Sequence, residues 1–346
     1  MKKVLHLLSS NKFSGAENVV CQIINMYKDD NKYEMVYCSL DGPIKNTLKE
    51  NNIIYYPLKK MNYFEVNKAI KHYNPDIIHA HDAKASILAC IASKRLKIIS
   101  HIHGNHDNMK KFSLKSILYY IISKKINFIF WVSNSSLEGY KYKNKIRNKS
   151  EVLYNVINLN ELRKKVEQDK NEYNFDCIFL GRLCSIKDPI RLINILSLVK
   201  KELPDFKMVI IGDGELKEKC KKLVKQLNLS NNIVFMGYKS NPLKILRDSK
   251  IMIMTSKYEG TPMCALEAMS LGVPIVSTPT DGLCELIENN KTGFLSNKDE
   301  VLAKYIIKLI KNKSLREEFS VNTKKRFTKL NDTNRYKERI ENAYCK

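Results

Sequence analysis

Short apolar runs alternate with amphipathic stretches along the first half of the chain. KVLHLLSS (3–10), YEMVYCSL (33–40), DIIHAH (76–81), KIISHIH (97–103), FIFWVS (128–133) and EVLYNVI (151–157) read as strands. AENVVCQIINMYK (16–28) has helical spacing, and NKAIKHYN (67–74) is a helix that stops before Pro75. The second half repeats the rhythm with strands at FDCIFLG (175–181), FKMVIIGDG (206–214), NIVFMG (232–237), KIMIMTS (250–256) and VPIVST (273–278). Helices lie between them, among them DPIRLINILSLVKKEL (188–203) and GELKEKCKKLVKQLN (214–228). Strands that are apolar almost throughout fit parallel sheets covered on both faces. Strands separated by helices imply right-handed crossovers.

The polar stretch 158–174 interrupts this rhythm without strong apolar periodicity and reads as an interdomain connection. The pattern therefore predicts an α/β chain of two doubly wound, Rossmann-like domains. Residues 1–158 form the first, 159–174 the connection and 175–330 the second. Residues 331–346 form an amphipathic helix expected to pack back on the first domain. Ligands of such sheets bind at the carboxyl ends of the strands. With two sheets, the expected site is the cleft between them.

Length and composition agree with two soluble domains: 346 residues, 44% hydrophobic and 28% charged. No apolar run reaches the ~18 residues of a membrane span. The opening MKKVLHLLSSNK is too short in its apolar part for a signal peptide and reads as the first strand. The nine cysteines are scattered without a CxxC pair, which suits reduced thiols in the cytoplasm. The net charge is +24, and residues 1–150 carry 25 basic against 11 acidic side chains. Such a field favours anionic partners: nucleic acid, an acidic membrane or a phosphorylated substrate. Compositional drift toward Lys, Asn and Ile accounts for part of it. No nucleic-acid motif is present, so nucleic acid is not expected as a partner.

The stretch YEGTPMCALEAMSLGVPIV (258–276) carries the chemistry. A buried strand ends near Ser256, and Glu259 follows in the loop. Pro262 suits a first helical turn, and MCALEAMSL forms a helix ending at Gly272. Glu267 thus lies a turn or so into that helix. The free N–H groups at its start attract a phosphate. Carboxylates beside a phosphate site must serve another part of the ligand, and an ionised Glu accepts from sugar hydroxyls. A diphosphate flanked by two polyols, as in a nucleotide-sugar, has that layout.

This segment resembles the E-x7-E segment of family 4 glycosyltransferases, whose fold is GT-B. FLGRLCSIKD (179–188), VIIGDGELKE (209–218), NIVFMGY (232–238) and DGLCELIENNKTGFL (281–295) are similar to that family in the same order. In the first half, FSGAENVV (13–20) resembles its glycine-rich loop, with Ser14 in place of one glycine. HIHGNHD (101–107) resembles the segment whose histidine faces the donor sugar, and WVSNSS (131–136) and VLYNVI (152–157) also fit. Two further departures are Asp188 where glycine is more usual and no glycine after Asn155.

The resemblance implies a retaining transferase that uses a nucleotide-sugar, more UDP- than GDP-linked, as substrate and needs no cofactor. Arg182 and Lys187 would grip the donor diphosphate, Glu259 would hold a sugar hydroxyl and His103 would face the sugar. Glu267 would accept the ribose hydroxyls. The amides near Thr261, Pro262, Met263 and Cys264, following Gly260, would bind phosphate. Tyr238 would meet the base. Gly15 would permit close backbone approach, and Gly212 would line the cleft. No DxD is present, so the protein's own cations would replace a metal; preorganised charge stabilises a leaving diphosphate. The implied acceptor is a saccharide, polyprenyl-linked, in surface polysaccharide assembly at the inner face of the membrane. The mixed basic and apolar stretch 110–128 reads either as a membrane-surface patch or as an ordinary packed helix followed by a strand. A nucleotide-sugar 2-epimerase of the same fold and a catalytically inactive nucleotide-binding subunit are the competing readings.

Overall fold

The computed structural model describes residues 1–93, 95–104 and 107–345. The chain divides into two compact units, Met1–Asn155 with Thr333–Lys346, and Val156–Asp332.

The first unit is built on seven parallel strands: β1 (Lys2–Leu7), β2 (Tyr33–Leu40), β3 (Tyr55–Leu58), β4 (Ile77–Ala80), β5 (Lys97–Ile102), β6 (Phe128–Trp131) and β7 (Ser150–Val152). Their order is β3-β2-β1-β4-β5-β6-β7. The short β3 carries Pro57, which an edge strand tolerates; it lies outside the strands that periodicity predicts. The strand expected over 151–157 ends at Val152. Side chains alternate across the sheet. Leu5, Leu7, Ile78, Ala80, Ile98, Ile102 and Trp131 enter one apolar core. The alternate positions His6, His79 and His101 share the other face with Phe130. The helix Thr333–Cys345 covers this second face, burying Tyr336, Ile340, Ala343 and Tyr344. The Tyr344 hydroxyl lies 2.7 Å from His79 Nδ1, and the Tyr27 hydroxyl donates to the Lys337 carbonyl at 3.0 Å.

The second unit holds six parallel strands: β8 (Phe175–Leu180), β9 (Met208–Ile211), β10 (Ile233–Gly237), β11 (Ser249–Met254), β12 (Ile275–Ser277) and β13 (Gly293–Leu295). Their order is β10-β9-β8-β11-β12-β13. Cys177, Phe179, Met208, Ile210, Ile251 and Ile253 pack against Leu192, Ile195, Leu196 and Val199 of the helix Pro189–Glu202.

The stretch expected to be a plain connection is different in kind. Asn158 caps a helix, Leu159–Gln168, by accepting from the Asn160 and Glu161 amides. Leu162 and Val166, four apart, are buried, and the helix belongs to the second unit. Two buried apolar residues in a charged decapeptide are a weak periodic signal, yet enough for one packed stripe. Among the described residues, no helix is long and apolar enough to cross a membrane.

Candidate functional site

In the second unit, the residues expected to act on a donor gather where β8 and β11 end. The loop after β8 leads from Arg182 to Lys187; the loop after β11 carries Ser256 and Glu259. The Lys257 amide donates to the Ile186 carbonyl at 2.8 Å and ties the loops together. Thr255 Oγ1 donates to the Lys187 and Asp188 carbonyls at 3.1 and 2.9 Å. Lys187 and Glu259, which retain only 17% and 9% of their side-chain exposure, form an ion pair. Glu259 Oε1 also accepts from Ser256 Oγ at 2.6 Å. Burial alone would push the Lys187 ammonium down. The Glu259 carboxylate, with Cys264, more than offsets this and holds it above its ordinary range. Arg182 is exposed and lies close enough to oppose the Lys187 charge.

The Asp188 departure has a physical reading. Its backbone is left-handed, φ 46° and ψ 58°, the conformation that favours glycine and that aspartate tolerates. Its carboxylate accepts from the Arg191 amide at 3.3 Å and caps the helix that follows. Val156, where a glycine is more usual, is not among the positive-φ residues, so a side chain fits there.

The helix Met263–Leu271 starts directly after Pro262. Pro262 is its N-cap, with extended ψ of 124°, and not a first-turn residue as the sequence suggests. The bonded amides begin at Ala265 and Leu266, both donating to the Pro262 carbonyl. The Met263 and Cys264 amides precede them and face outward from the helix, as helix starts do. Thr261 and Met263 are buried, and burial lifts the Cys264 thiol to about 12. Glu267, half-buried on the same helix, has its carboxyl pushed up to about 7 by desolvation. Lys165 opposes that shift. Sequence reasoning missed this lysine because it placed 158–174 in a connection.

Glycines set the close approaches. A Cβ on Gly212, at φ +141°, would stand 1.9 Å from the Gly181 carbonyl oxygen. The packing of these two loops thus already accounts for the glycine at 212. A Cβ on Gly282 would lie 1.3 Å from the Gly260 carbonyl oxygen. Gly282 therefore sets where Gly260 and the following helix start, a role that no motif spacing reveals. Tyr238 follows Gly237, at φ +66°, and is 57% exposed at the end of β10.

In the first unit, Gly15 opens the helix Gly15–Met26, with Ser14 at the N-cap in extended conformation. Ser14 Oγ donates to the Glu17 carboxylate at 2.5 Å, and Glu17 is buried. Sequence reasoning passed over this buried acid. His103 follows β5. Its Nε2 lies 3.0 Å from His81 Nδ1, and its ring stacks on His101 at 4.3 Å. Burial pushes His103 and His6 down to about 3, and His79, His81 and His101 well below the ordinary histidine value. His103 is thus one end of a column of neutral imidazoles. The signal was present as H-x-H at the ends of two neighbouring strand runs, together with His6. His106 lies outside the described residues.

Residues 13–161 match the family Glycosyltransferase Family 4, and residues 160–326 match Glycosyl transferases group 1. An uncharacterised glycosyltransferase of Methanocaldococcus jannaschii is 28% identical over 84% of this chain and 88% of its own. The UDP-Gal:alpha-D-GlcNAc-diphosphoundecaprenol alpha-1,3-galactosyltransferase of Escherichia coli is 24% identical over 86% of this chain and 85% of its own. The crystal structure of Anabaena HepE in complex with UDP-glucose superposes with a TM-score of 0.85 at 21% identity, covering all of both chains. The fold is GT-B, made of two Rossmann-like domains. The chain is a glycosyltransferase and belongs to glycosyltransferase family 4.

Proposed function

We propose that this glycosyltransferase moves a sugar, with retention, from a UDP-sugar to a saccharide on a polyprenyl diphosphate at the inner face of the membrane. The product would enter a surface polysaccharide such as a capsule or exopolysaccharide. The observation that carries this reading is the Lys187–Glu259 pair beside the exposed Arg182, in the unit that also holds the helix start at Met263. A leaving diphosphate gains negative charge as its bond to the anomeric carbon breaks. Arg182, Lys187 and the Met263 and Cys264 amides supply positive potential fixed before the reaction, the most effective kind. Glu259 accepts a donor-sugar hydroxyl and Glu267 the ribose hydroxyls.

The departing phosphate oxygen takes the proton of the acceptor hydroxyl. That hydroxyl's oxygen bonds to the anomeric carbon on the face the phosphate leaves, so configuration is retained without a protein nucleophile. Donor binding through Arg182 and Lys187 needs no metal. The UDP-glucose bound to HepE and the lipid diphosphate acceptor named for the Escherichia coli relative support this donor and acceptor class.

The membrane setting rests on the helix Leu114–Ser123. Its inner side buries Tyr119 and Ile122. Leu114, Ile117 and Ile121, spaced along one outer stripe, are 83%, 38% and 55% exposed, and Phe112 is 70% exposed. Lys111, Lys124 and Lys125 are exposed around this stripe. An apolar stripe rimmed by lysines fits an anionic bilayer surface.

The test is incubation with a panel of UDP-sugars and a polyprenyl-diphosphate saccharide, with the product anomer read by NMR. Acceptor-dependent product of retained configuration is expected. Conversion of the donor alone, without acceptor, would mark an epimerase.

A further inference from the structure

Five of the seven histidines share one face of the first unit's sheet, and only His103 among them is expected at the donor sugar. A buried ring nitrogen is costly without a partner. His79 Nε2 is buried and has no protein partner. One nitrogen from each of His6, His79 and His81 lies within 4.8 Å of the other two. Each of these rings is held from its far side. His6 Nε2 meets Met35 Sδ at 3.4 Å, His79 Nδ1 meets the Tyr344 hydroxyl at 2.7 Å and His81 Nδ1 meets His103 Nε2 at 3.0 Å. Metal-ligating imidazoles have their second nitrogen fixed by an outer hydrogen-bond partner, most often a carboxylate, carbonyl or water, and here Tyr344, His103 and Met35 stand in that place.

We propose that His6, His79 and His81 form a buried three-imidazole site for zinc or another divalent transition ion of its class. His6 Nδ1 and His81 Nε2 stand 2.9 Å apart and share one proton. When an ion binds, tautomerisation moves that proton to the outer nitrogen of the same ring, His6 Nε2 beside Met35 or His81 Nδ1 beside His103, so both inner nitrogens offer lone pairs. Zinc–nitrogen bonds of about 2.0–2.1 Å put two imidazole nitrogens about 3.3 Å apart, so the pair opens by about 0.4 Å. Three imidazoles without a carboxylate suit zinc, copper or nickel and not magnesium or calcium. His81, His101 and His103 form a second group within the same limit. There, both His101 nitrogens lack a holding partner, so the first trio is the better ligand set. Bound metal joins β1 to β4 and, through Tyr344, to the terminal helix, so its binding energy stabilises the first unit.

The experiment uses the full chain, purified without a metal-affinity tag, with zinc content by mass spectrometry and cobalt(II) titration followed by visible absorption. One equivalent of metal is expected, with a higher Tm for zinc-loaded than for chelated protein. His79→Gln should lose both signals and His101→Gln should keep both. Tyr344→Phe should weaken cobalt binding about 10- to 100-fold. UDP affinity of the second unit and circular dichroism identify a variant that has failed to fold. If His79→Gln does not fold, Tyr344→Phe carries the test, and unchanged cobalt affinity there overturns the proposal. Absence of stoichiometric metal, or loss in His101→Gln with retention in His79→Gln, also overturns it.

Discussion

Lys187 and Glu259 are paired with each other where the loops after β8 and β11 meet. The cation proposed for the donor diphosphate and the acid proposed for the donor sugar thus hold one another in the free protein. Each is almost out of water, so removing one leaves the other buried and uncompensated. Lys187→Ala or Glu259→Ala should each destabilise the second unit by about 3 kcal/mol. The double variant should regain most of that stability while remaining without transferase activity. Denaturant unfolding and turnover, measured on all four proteins, check both halves. A double variant no more stable than the singles would mean that the pair is not coupled.

Arg182 should behave in the opposite way. It is exposed, and among the described residues its side chain makes no ion pair or hydrogen bond. Arg182→Ala should leave Tm unchanged and lower kcat about 10²- to 10³-fold. Full activity in that variant would remove it from the leaving-group role.

Glu267 should make nucleotide binding pH-dependent. Its carboxyl, ordinarily near 4.5, is held at about 7 in the folded chain. The unfolded chain loses this proton first, so the group's contribution to stability falls as pH rises between those two values. Ribose hydroxyls donate more strongly to the ionised form, which accepts on both oxygens. UDP affinity should therefore rise as pH increases through about 7 and level off above it. Glu267→Gln should lack both the stability decline and that part of the affinity slope. Calorimetric titrations between pH 6 and 8 test it; parallel slopes in the two proteins would contradict it.

Sequence legibility followed the strength of the local signal. The long apolar strands such as Tyr33–Leu40 were plain, because burial on both faces removes polar residues from the run. The three-residue Gly293–Leu295 and the Pro57-containing Tyr55–Leu58 were not, since neither is long enough to show a period. Glu259 and Glu267 were legible because Gly260 and Pro262 punctuate the chain between them. Lys165 was hidden in a helix with only two buried apolar residues. The histidine column was hidden differently. Each member looks like an ordinary strand residue until β1, β4 and β5 align His6 with His79 and extend that face to His101.

The outer stripe of the helix Leu114–Ser123 should govern membrane binding and nothing else in the fold. Leu114→Glu and Ile121→Glu should each weaken binding to anionic vesicles about tenfold, with Tm unchanged, because both side chains are already exposed. Binding should also weaken as salt is raised, because the lysine rim acts through screened charge. If both variants bind as well as the unaltered chain in a vesicle co-sedimentation assay, the helix is a packing element only.

The proposed transfer requires a metal-independent uridine diphosphate site in the second unit. Calorimetric titration of the intact chain with UDP, GDP and ADP in magnesium-free buffer, repeated on Glu267→Ala, tests it most directly. UDP should bind in preference to the other two, and Glu267→Ala should weaken it at least tenfold with the fold intact. Binding that needs added magnesium, or a Glu267→Ala protein with unchanged UDP affinity, would contradict it.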